Sequence, residues 1–306
     1  MKTLLIEEKQ YPVLLKNIKN PPKKLYIKGN EQILNSTCIT VVGSRNMSEY
    51  GKIITKEIVK ELTLAGVCIV SGLAVGIDSI AHQTCLENGG KTIAVLGSGF
   101  NKVFPPENKE LYRKIINSGG AVISEYEPNV IAKKEYFPQR NRIVSGLSLG
   151  ILVIEATYRS GTAITAKYAL GEGRKVFCIP NSIGSKNSAG IINLLKKGAV
   201  LVTNAQEILY GVGIVDKEED YERIVKKQKI EKANFIEQAE LSKLDKKTKK
   251  IYNYIKVNKF VNLEVMCEEL KMSIQDVNVH ITILELKGLV INKSGMNYVL
   301  KDELYV

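Results

Sequence analysis

The chain has 306 residues, enough for one α/β domain and a smaller second domain. Its 44% hydrophobic and 25% charged residues are typical of a soluble globular protein, and no apolar run approaches the ~20 residues that span a membrane. The five cysteines are scattered without CxxC spacing, which argues against a disulfide framework or a zinc site. The net charge of +12 favours a polyanionic partner, although lysine-rich surfaces are common. We therefore expect a reduced, cytoplasmic protein with no membrane insertion.

Four segments are predicted along the chain. Residues 1–37 form an irregular N-terminal extension that contains Pro21-Pro22 and a Gly29-Asn30 turn. From 38 to 212, apolar runs alternate with helical segments, and residues 213–244 form a charged linker. The predicted strands are Ile39–Val42, Val67–Val70, Thr92–Leu96, Ala121–Ile123, Ile151–Ile154, Lys175–Ile179 and Ala199–Val202. Near-continuous apolar runs indicate a sheet buried on both faces, so we expect a doubly wound, mainly parallel α/β fold.

Residues 245–306 predict a small winged-helix domain of three helices and a hairpin. Asn262 and Ser273 are candidate N-caps of the second and third helices, and the hairpin turns at Ser294-Gly295. The charged residues of the third helix are Asp276, Glu285 and Lys287, whereas a helix that reads the major groove should be basic. We therefore expect this domain to contact protein rather than to bind duplex DNA strongly.

Two glycine-rich turns follow the first two of these strands. In VVGSRNMSEYGK the strand stops at Gly43, and Ser44 and Arg45 lead into a helix; in VSGLAVGIDSIAH the strand stops at Ser71-Gly72. Free backbone amides and the positive end of a helix dipole favour a phosphate at such a turn. The alternative is an ordinary strand-to-helix connection. The pair of turns, with an arginine at the first, favours a surface that binds more than one phosphate.

A basic and aromatic segment, KKEYFPQRNRI, spans Lys133 to Ile143. Its cations are Lys133, Lys134, Arg140 and Arg142, and they surround Tyr136 and Phe137. Cations that pair with phosphates, beside a ring on which a base can stack, are typical of single-strand binding. A charged loop with its aromatic rings in the core is the other interpretation.

A third strand-turn-helix unit, VIEATYRSGTAITAKYA, places Ser160, Gly161 and Thr162 at a helix start, where their amides can hold an anion. Glu155 lies at the carboxyl end of the strand, where open α/β sheets keep catalytic groups. It could serve a glycosidic-bond hydrolase or could orient the loop by hydrogen bonds. We favour the second role because no second acid, metal cluster or nucleophile–base pair accompanies it.

Other sequence patterns give weaker evidence about function. Asp78 and His82 lie four residues apart on one helix and can touch, which favours capping or packing over catalysis. The histidine of the small domain, His280, is predicted to lie on the surface. Gly97-Ser98-Gly99 lacks the third glycine of a dinucleotide fingerprint. No cofactor, metal or catalytic residue is therefore predicted.

These motifs, in this order, resemble the DNA-processing protein A (DprA/Smf) family. The matching pieces cover about Tyr11 to Leu209 and are YPVLLKNI, PPKKLYIKGN, VVGSRNMSEYG, VSGLAVGIDSIAH, GGKTIAVLGSGFNKVFPPENKEL, SEY, FPQRNRIVSGLS, VIEATYRSGTAITAKYAL, GRKVFCIP and LLKKGA. The resemblance implies an extended Rossmann-like core that dimerises, binds single-stranded DNA and loads RecA onto incoming DNA during natural transformation. The last segment is similar to the winged-helix module at the end of many members.

Carried over by motif, the resemblance assigns a phosphate pocket to Gly43–Arg45. Lys134 and Phe137 supply a cation and a stacking ring, and Arg140, Asn141 and Arg142 line or buttress the same groove. Many members carry a helical domain before the YP segment, which the ten residues before Tyr11 do not supply, and many have glycine where this chain has Asn181.

We therefore predict a non-catalytic, homodimeric recombination mediator. One alternative is a nucleoside-monophosphate phosphoribohydrolase that uses Glu155. Another is a nucleotide sensor that signals through the C-terminal domain.

Overall fold

Nine strands of the first unit form one sheet in the computed structural model, which describes residues 1–217, 219–228 and 241–300. The chain divides into two units, Met1–Gln228 and Lys229–Val306, and each is described by itself. The strands of the first unit are β1 (Lys2–Leu5), β2 (Lys24–Gly29), β3 (Cys38–Val42), β4 (Cys68–Ser71), β5 (Thr92–Val95), β6 (Ala121–Ser124), β7 (Gly150–Val153), β8 (Lys175–Cys178) and β9 (Val200–Leu201). All seven predicted strands are therefore present, each with ends within two residues of the predicted ones.

Eight helices of the first unit are numbered α1 to α8 in the order of the chain. They are α1 (Val13–Lys16), α2 (Glu49–Leu64), α3 (Ile77–Glu87), α4 (Lys109–Asn117), α5 (Tyr136–Gly146), α6 (Gly161–Gly171), α7 (Ala189–Leu195) and α8 (Ala205–Gly211). Side-chain caps begin three of them: Ser48, Ser160 and Asn204 each accept a backbone N–H from the first turn of α2, α6 and α8. Every residue of β3 to β7 is buried, and apolar side chains pack on both faces of these strands. This pattern confirms a doubly wound sheet.

The strand order is β1-β2-β6-β5-β4-β3-β7-β8-β9. Strands β3 to β9 are parallel, so the predicted mainly parallel sheet is confirmed. From β3 the chain first builds outward through β4, β5 and β6, and then returns to add β7 on the other side of β3. This reversal puts a topological switch point between β3 and β7, where open α/β sheets bind ligands outside the carboxyl ends of the strands.

The prediction of an irregular extension over 1–37 is wrong. Strand β2 pairs antiparallel with β6, and β1 pairs antiparallel with β2, so two strands of this segment extend the sheet at one edge. Leu4, Leu25 and Ile27 are buried and join the same core cluster as the parallel strands. The segment therefore belongs to the first unit.

The predicted charged linker 213–244 also contains structure. Residues 219–228 are helical, and Tyr221 and Ile224 pack against the core of the first unit because they fall on one side of that helix. Residues 229–240 lie outside the described residues.

The second unit combines three helices with a three-stranded antiparallel sheet. The elements are α9 (Lys246–Asn258), β10 (Phe260–Asn262), α10 (Leu263–Leu270), α11 (Ile274–Leu286), β11 (Val290–Ser294) and β12 (Asn297–Leu300). The sheet order is β10-β12-β11. Asn262 and Ser273 cap α10 and α11 as predicted, and Asp245 caps α9. Strand β10 was not predicted, and residues 301–306 lie outside the described residues.

The histidine of this unit is not a surface residue. The side chain of His280 is 14% exposed, and its Nδ1 lies 2.8 Å from the Thr248 hydroxyl. Within the described part of the chain, none of the helices is long and apolar enough to cross a membrane.

Candidate nucleic-acid interface

The first turn predicted to hold an anion, named here the first anion seat, lies where β3 ends at the switch point, over Gly43–Arg45. A Cβ at Gly43 would lie 2.6 Å from the Ile77 side chain, so only glycine lets the turn pass this close to α3. The turn is held on that side by the Ile77 amide, which donates to the Ser44 carbonyl at 3.2 Å. The Ser44 hydroxyl accepts the Asn46 amide at 3.1 Å, which fixes the next turn of backbone.

The second anion seat lies where α6 begins, over Ser160–Thr162. Ser160 caps the helix by accepting the Ala163 amide at 3.3 Å. Thr162 donates its hydroxyl proton to the Gly43 carbonyl at 2.9 Å, and Asn141 donates to the Gly161 carbonyl at 3.2 Å. The two seats are therefore joined to each other and to α5 by side-chain hydrogen bonds.

A third turn, after β4, packs against a buried arginine. Arg140 is 4% exposed and donates to the carbonyl oxygens of Gly72, at 2.7 Å, and Val95, so it ties the ends of β4 and β5 together. Asp78 accepts the Gly72 amide at 3.1 Å. A Cβ at Gly72 would lie 2.7 Å from the Arg140 guanidinium, which explains the glycine. Burial lowers the pKa of Arg140 to about 10, so the group remains charged at neutral pH.

One cleft of about 900 Å³ collects these groups. Eleven of the twelve predicted site residues line it: Gly43, Ser44, Arg45, Gly72, Lys134, Phe137, Arg140, Asn141, Ser160, Gly161 and Thr162. They come from three strand ends, from α5 and from the loop that precedes α5, which are far apart in sequence. The cleft lies at the switch point that the strand order defines.

An aromatic pair lies in a narrower pocket of about 220 Å³ that shares residues with the cleft. The rings of Phe104 and Phe137 have centroids 5.5 Å apart, and the Arg45 guanidinium lies 5.6 Å from the Phe137 centroid. Phe104 is 44% exposed. A base stacked here would meet a ring and a cation together, as in single-strand binding proteins.

One of the predicted site cations, Arg142, differs from the prediction. Arg142 does not line the cleft: it forms a bidentate ion pair with Glu125, at 2.7 and 2.8 Å, and donates to the Asn20 carbonyl. Residues two apart on a helix point in different directions, and Arg140 and Arg142 are both on α5. Arg140 does line the cleft, but its bonds to backbone carbonyls make it a buttress rather than a free cation. The exposed cation of the segment at the cleft is Lys134.

The buried carboxylate Glu155 has a structural environment. It is fully buried and accepts hydrogen bonds from the Ser48 amide and hydroxyl and from the Asn187 side chain, the last at 3.0 Å. Ser48 caps α2 and Asn187 lines the cleft, so Glu155 links the two. This geometry matches the favoured role of orienting the loop.

Asp78 and His82 each bond to other groups. Asp78 binds backbone amides, whereas Nδ1 of His82 lies 2.7 Å from the Thr92 hydroxyl. That hydroxyl donates to the Ile69 carbonyl at 2.6 Å, so it accepts the proton of His82 Nδ1. Burial lowers the pKa of His82 to about 3, and the imidazole is neutral.

Several residues that line the cleft were missed from sequence, among them Phe104, Thr157, Lys186 and Asn187. Phe104 lies in the loop after β5, and its two following prolines gave the only local signal of a fixed turn. Lys186 and Asn187 lie between β8 and α7, in a stretch without a recognised motif. Across residues 1–217, 219–228 and 241–300, no three His, Cys, Asp or Glu side chains are grouped to hold a metal ion.

The fold and site together define a Rossmann-like protein with a large cleft at the switch point of its sheet. A model of the family described as DNA recombination-mediator protein A matches residues 2–213. The chain therefore belongs to this family.

Curated relatives agree with that assignment. The chain is 44% identical over 199 residues to Protein Smf of Escherichia coli, covering 65% of this chain but only 53% of that protein. It is 40% identical over 207 residues to DNA processing protein DprA of Bacillus subtilis, covering 67% and 69% of the two chains. The chain thus spans about half of the first relative and about two thirds of the second.

Two solved structures are similar to the first unit. The X-ray structure of DNA processing protein A from Streptococcus pneumoniae matches with a TM-score of 0.64 and 43% identity, covering 68% of this chain and 73% of that one. DNA processing protein A from Helicobacter pylori matches with a TM-score of 0.62 and 29% identity, covering 69% and 96%. The latter structure is described as giving insight into a single-stranded DNA binding mode. Both relatives confirm the predicted fold class of the first unit.

Proposed function

We propose that the chain binds single-stranded DNA in the switch-point cleft and acts, without catalysis, as a recombination mediator. The observation that carries this proposal is the convergence of two anion seats, Gly43–Arg45 and Ser160–Thr162, with the Arg45–Phe137 pair in one cleft. The seats suit phosphates, and the ring beside a cation suits a base. An unpaired base can reach that ring, whereas a base stacked inside a duplex cannot.

The finer parts of the proposal rest on family membership. They are loading of RecA onto the strand, natural transformation as the setting, a homodimeric state and a cytoplasmic location. The relatives' names support DNA processing, and the description of the H. pylori structure supports binding of single-stranded DNA.

A protein-binding role is proposed for the second unit, which we interpret as a winged-helix domain. The order of its elements supports this interpretation. Helix α11 carries exposed Asp276 and Glu285 on the helix that would enter a major groove. Acidic groups there oppose DNA phosphates, so a protein partner fits better.

The hydrolase alternative is less well supported by the site. Its candidate acid Glu155 is fully buried, is already bonded to three donors and does not line the cleft. Incubation with nucleoside monophosphates tests this alternative: release of free base that is abolished in Glu155→Gln would replace our proposal.

The main test is fluorescence anisotropy of labelled single-stranded and duplex DNA, with salt varied between about 50 and about 200 mM. We expect preferential single-strand binding that weakens steeply with salt. Arg45→Ala should weaken it roughly fivefold or more, because it removes a charged donor at a phosphate seat and the cation beside Phe137.

The matched control is Lys60→Ala. Lys60 is an exposed cation of α2 that does not line the cleft, so its removal changes net charge equally. Equal losses for Arg45→Ala and Lys60→Ala would indicate nonspecific charge attraction, and would overturn the assignment of the cleft.

A further inference from the structure

Each anion seat has its own arginine–aromatic pair. At the first seat, the Arg45 guanidinium lies 5.6 Å from the centroid of Phe137. At the second, the Arg159 guanidinium lies 5.5 Å from the centroid of Tyr158, immediately before Ser160. Neither Tyr158 nor Arg159 belongs to the predicted set of site residues. Their arrangement repeats the cation-beside-ring chemistry of the first pair.

The second pair lies on a turn at the rim of the cleft. Thr157 and Ser160, which flank the pair, both line the cleft, and the Ser160 amide donates to the Thr157 carbonyl at 3.3 Å. The turn is anchored at its start, because the Ala156 amide donates to the Asn187 carbonyl at 2.9 Å. A fixed turn therefore places two large side chains beside the second seat.

Both side chains of this pair are available to a ligand. Tyr158 is 60% exposed and Arg159 is also exposed. A ring this exposed gains little from burial in the folded chain, so its contribution to stability is small. Its free face, with a cation alongside, is what an unpaired base stacks on.

The backbone at Arg159 is unusual. Its φ is +61°, in the left-handed region that non-glycine residues rarely adopt. Conformations of this kind cost free energy and occur often at binding sites, where they direct a side chain. Here the conformation accompanies the placement of the guanidinium over the neighbouring ring.

We propose that Tyr158 and Arg159 form a second nucleotide-binding station, so that one single strand engages the Phe137 ring at one seat and the Tyr158 ring at the other. This inference rests on the proposed function and deepens it, because it gives one DNA strand two base-stacking positions at the cleft. The two seats beside which the stations lie follow adjacent strands, β3 and β7, and both seats line the same cleft. A strand too short to reach both stations uses one of them.

The test uses fluorescence, since the chain has no tryptophan. Tyr158→Trp and Phe137→Trp each create a single reporter whose emission is quenched when a base stacks on it. Val13→Trp is the matched control, because Val13 is 62% exposed on α1 and does not line the cleft. Each protein is titrated with oligothymidylates of about 4 and about 20 nucleotides.

We expect the long oligomer to quench both cleft reporters and to leave the α1 reporter unchanged. In the otherwise unaltered protein, Tyr158→Ala should weaken binding of the long oligomer roughly fivefold or more, and Tyr158→Phe should retain it. The loss should be smaller for the short oligomer, because that oligomer can remain at the first station.

Two results would overturn the inference, and they are distinguishable. Quenching of Phe137→Trp without quenching of Tyr158→Trp, together with unchanged affinity in Tyr158→Ala, would leave the cleft as a DNA site with one station. Absence of single-strand binding by anisotropy in the unaltered protein would remove the proposed function as well.

Discussion

Thr162 and Gly43 join the two anion seats through one hydrogen bond, from the threonine hydroxyl to the glycine carbonyl at 2.9 Å. Thr162 is 8% exposed, so this bond is largely shielded from water. It sets the position of the α6 start relative to the end of β3. The geometry of the cleft therefore depends on a side chain that need not touch a ligand.

We predict that Thr162→Val lowers both the affinity for single-stranded DNA and the free energy of unfolding. The change keeps the shape of the side chain but removes the donor, at a cost of about 1 kcal/mol in the free energy of unfolding. The affinity for single-stranded DNA should fall several-fold because the two seats are no longer held at a fixed relative position. Urea unfolding and anisotropy measure the two effects.

A matched control for that variant is Thr55→Val. Thr55 is also buried, and its hydroxyl donates to the Gly51 carbonyl at 2.6 Å within α2, away from the cleft. It should lose stability without losing affinity. Equal affinity in Thr162→Val and Thr55→Val would show that the joint between the seats is not needed for binding.

Gly72→Ala should disturb the Arg140 buttress. The added Cβ would lie 2.7 Å from the guanidinium and 2.9 Å from the Asp78 carboxylate, so one of them must move. We expect a loss of about 1 to 3 kcal/mol in the free energy of unfolding and weaker single-strand binding. Thermal and urea denaturation, with anisotropy, provide the measurements.

Gly171→Ala is the control for added volume. No atom lies within 4 Å of a Cβ placed at Gly171, which ends α6. Alanine there should be neutral or stabilising by up to about 1 kcal/mol. A Gly72→Ala protein that resembles Gly171→Ala in both measurements would refute the tight packing around Arg140.

We expect Arg142→Lys to lower the stability of the fold without changing the affinity for single-stranded DNA. Lysine cannot reproduce the bidentate pair with Glu125, whose side chain is 17% exposed beside an arginine that is 16% exposed. We expect a loss of about 2 kcal/mol on urea unfolding. Single-strand affinity should remain within about twofold of the unaltered protein, because an exchange of one cation for another outside the cleft leaves the net charge unchanged. A loss comparable to that of Arg45→Ala would place Arg142 at the DNA after all.

Acid should destabilise the protein through His82. Its pKa is about 3 in the folded protein, against an ordinary value of 6.5, because burial disfavours the charged ring. The unfolded chain therefore binds a proton below about pH 6.5 that the folded chain does not. Stability is full above that pH and declines as pH falls toward 3, by about 2 kcal/mol between pH 7 and pH 5.

Urea unfolding at pH 7 and at pH 5 checks this sign. His82→Asn removes the titrating group, so its loss of stability over the same interval should be smaller by that amount. Identical pH dependence in both proteins would mean that His82 is protonated in the folded state.

Much of the fold followed from hydrophobic pattern. Strands such as β3 and β7 are buried on both faces, and their continuous apolar runs made them recognisable. Strands β1 and β2 were missed because Pro21-Pro22 and the mixed run Lys24–Gly29 suggested an irregular segment. Strand β1 is the edge strand of the sheet, and β2 lies between β1 and β6, whose residues are about a hundred positions away in sequence.

The candidate site, like the fold, was predicted from the sequence only in part. The two anion seats could be predicted from the glycine, serine and threonine residues at strand ends, because the backbone geometry that binds anions leaves a local signal in the sequence. The separate roles of Arg140 and Arg142 could not be assigned because no helix was predicted over the RNR motif. Once α5 is recognised, their spacing of two residues already places them on different faces. Phe104 left no comparable signal, since only the tertiary fold brings its loop to Phe137.

The bond between Thr162 and Gly43 joins positions 119 residues apart in the chain. A DNA strand bound at both seats would hold these two positions together like a reversible crosslink. Unfolding would then have to release the DNA and open the long loop between the two positions. Ligand that binds only the folded form raises its apparent stability with concentration. Occupancy of the cleft should therefore slow proteolytic cleavage across the whole first unit, including positions that no nucleotide touches.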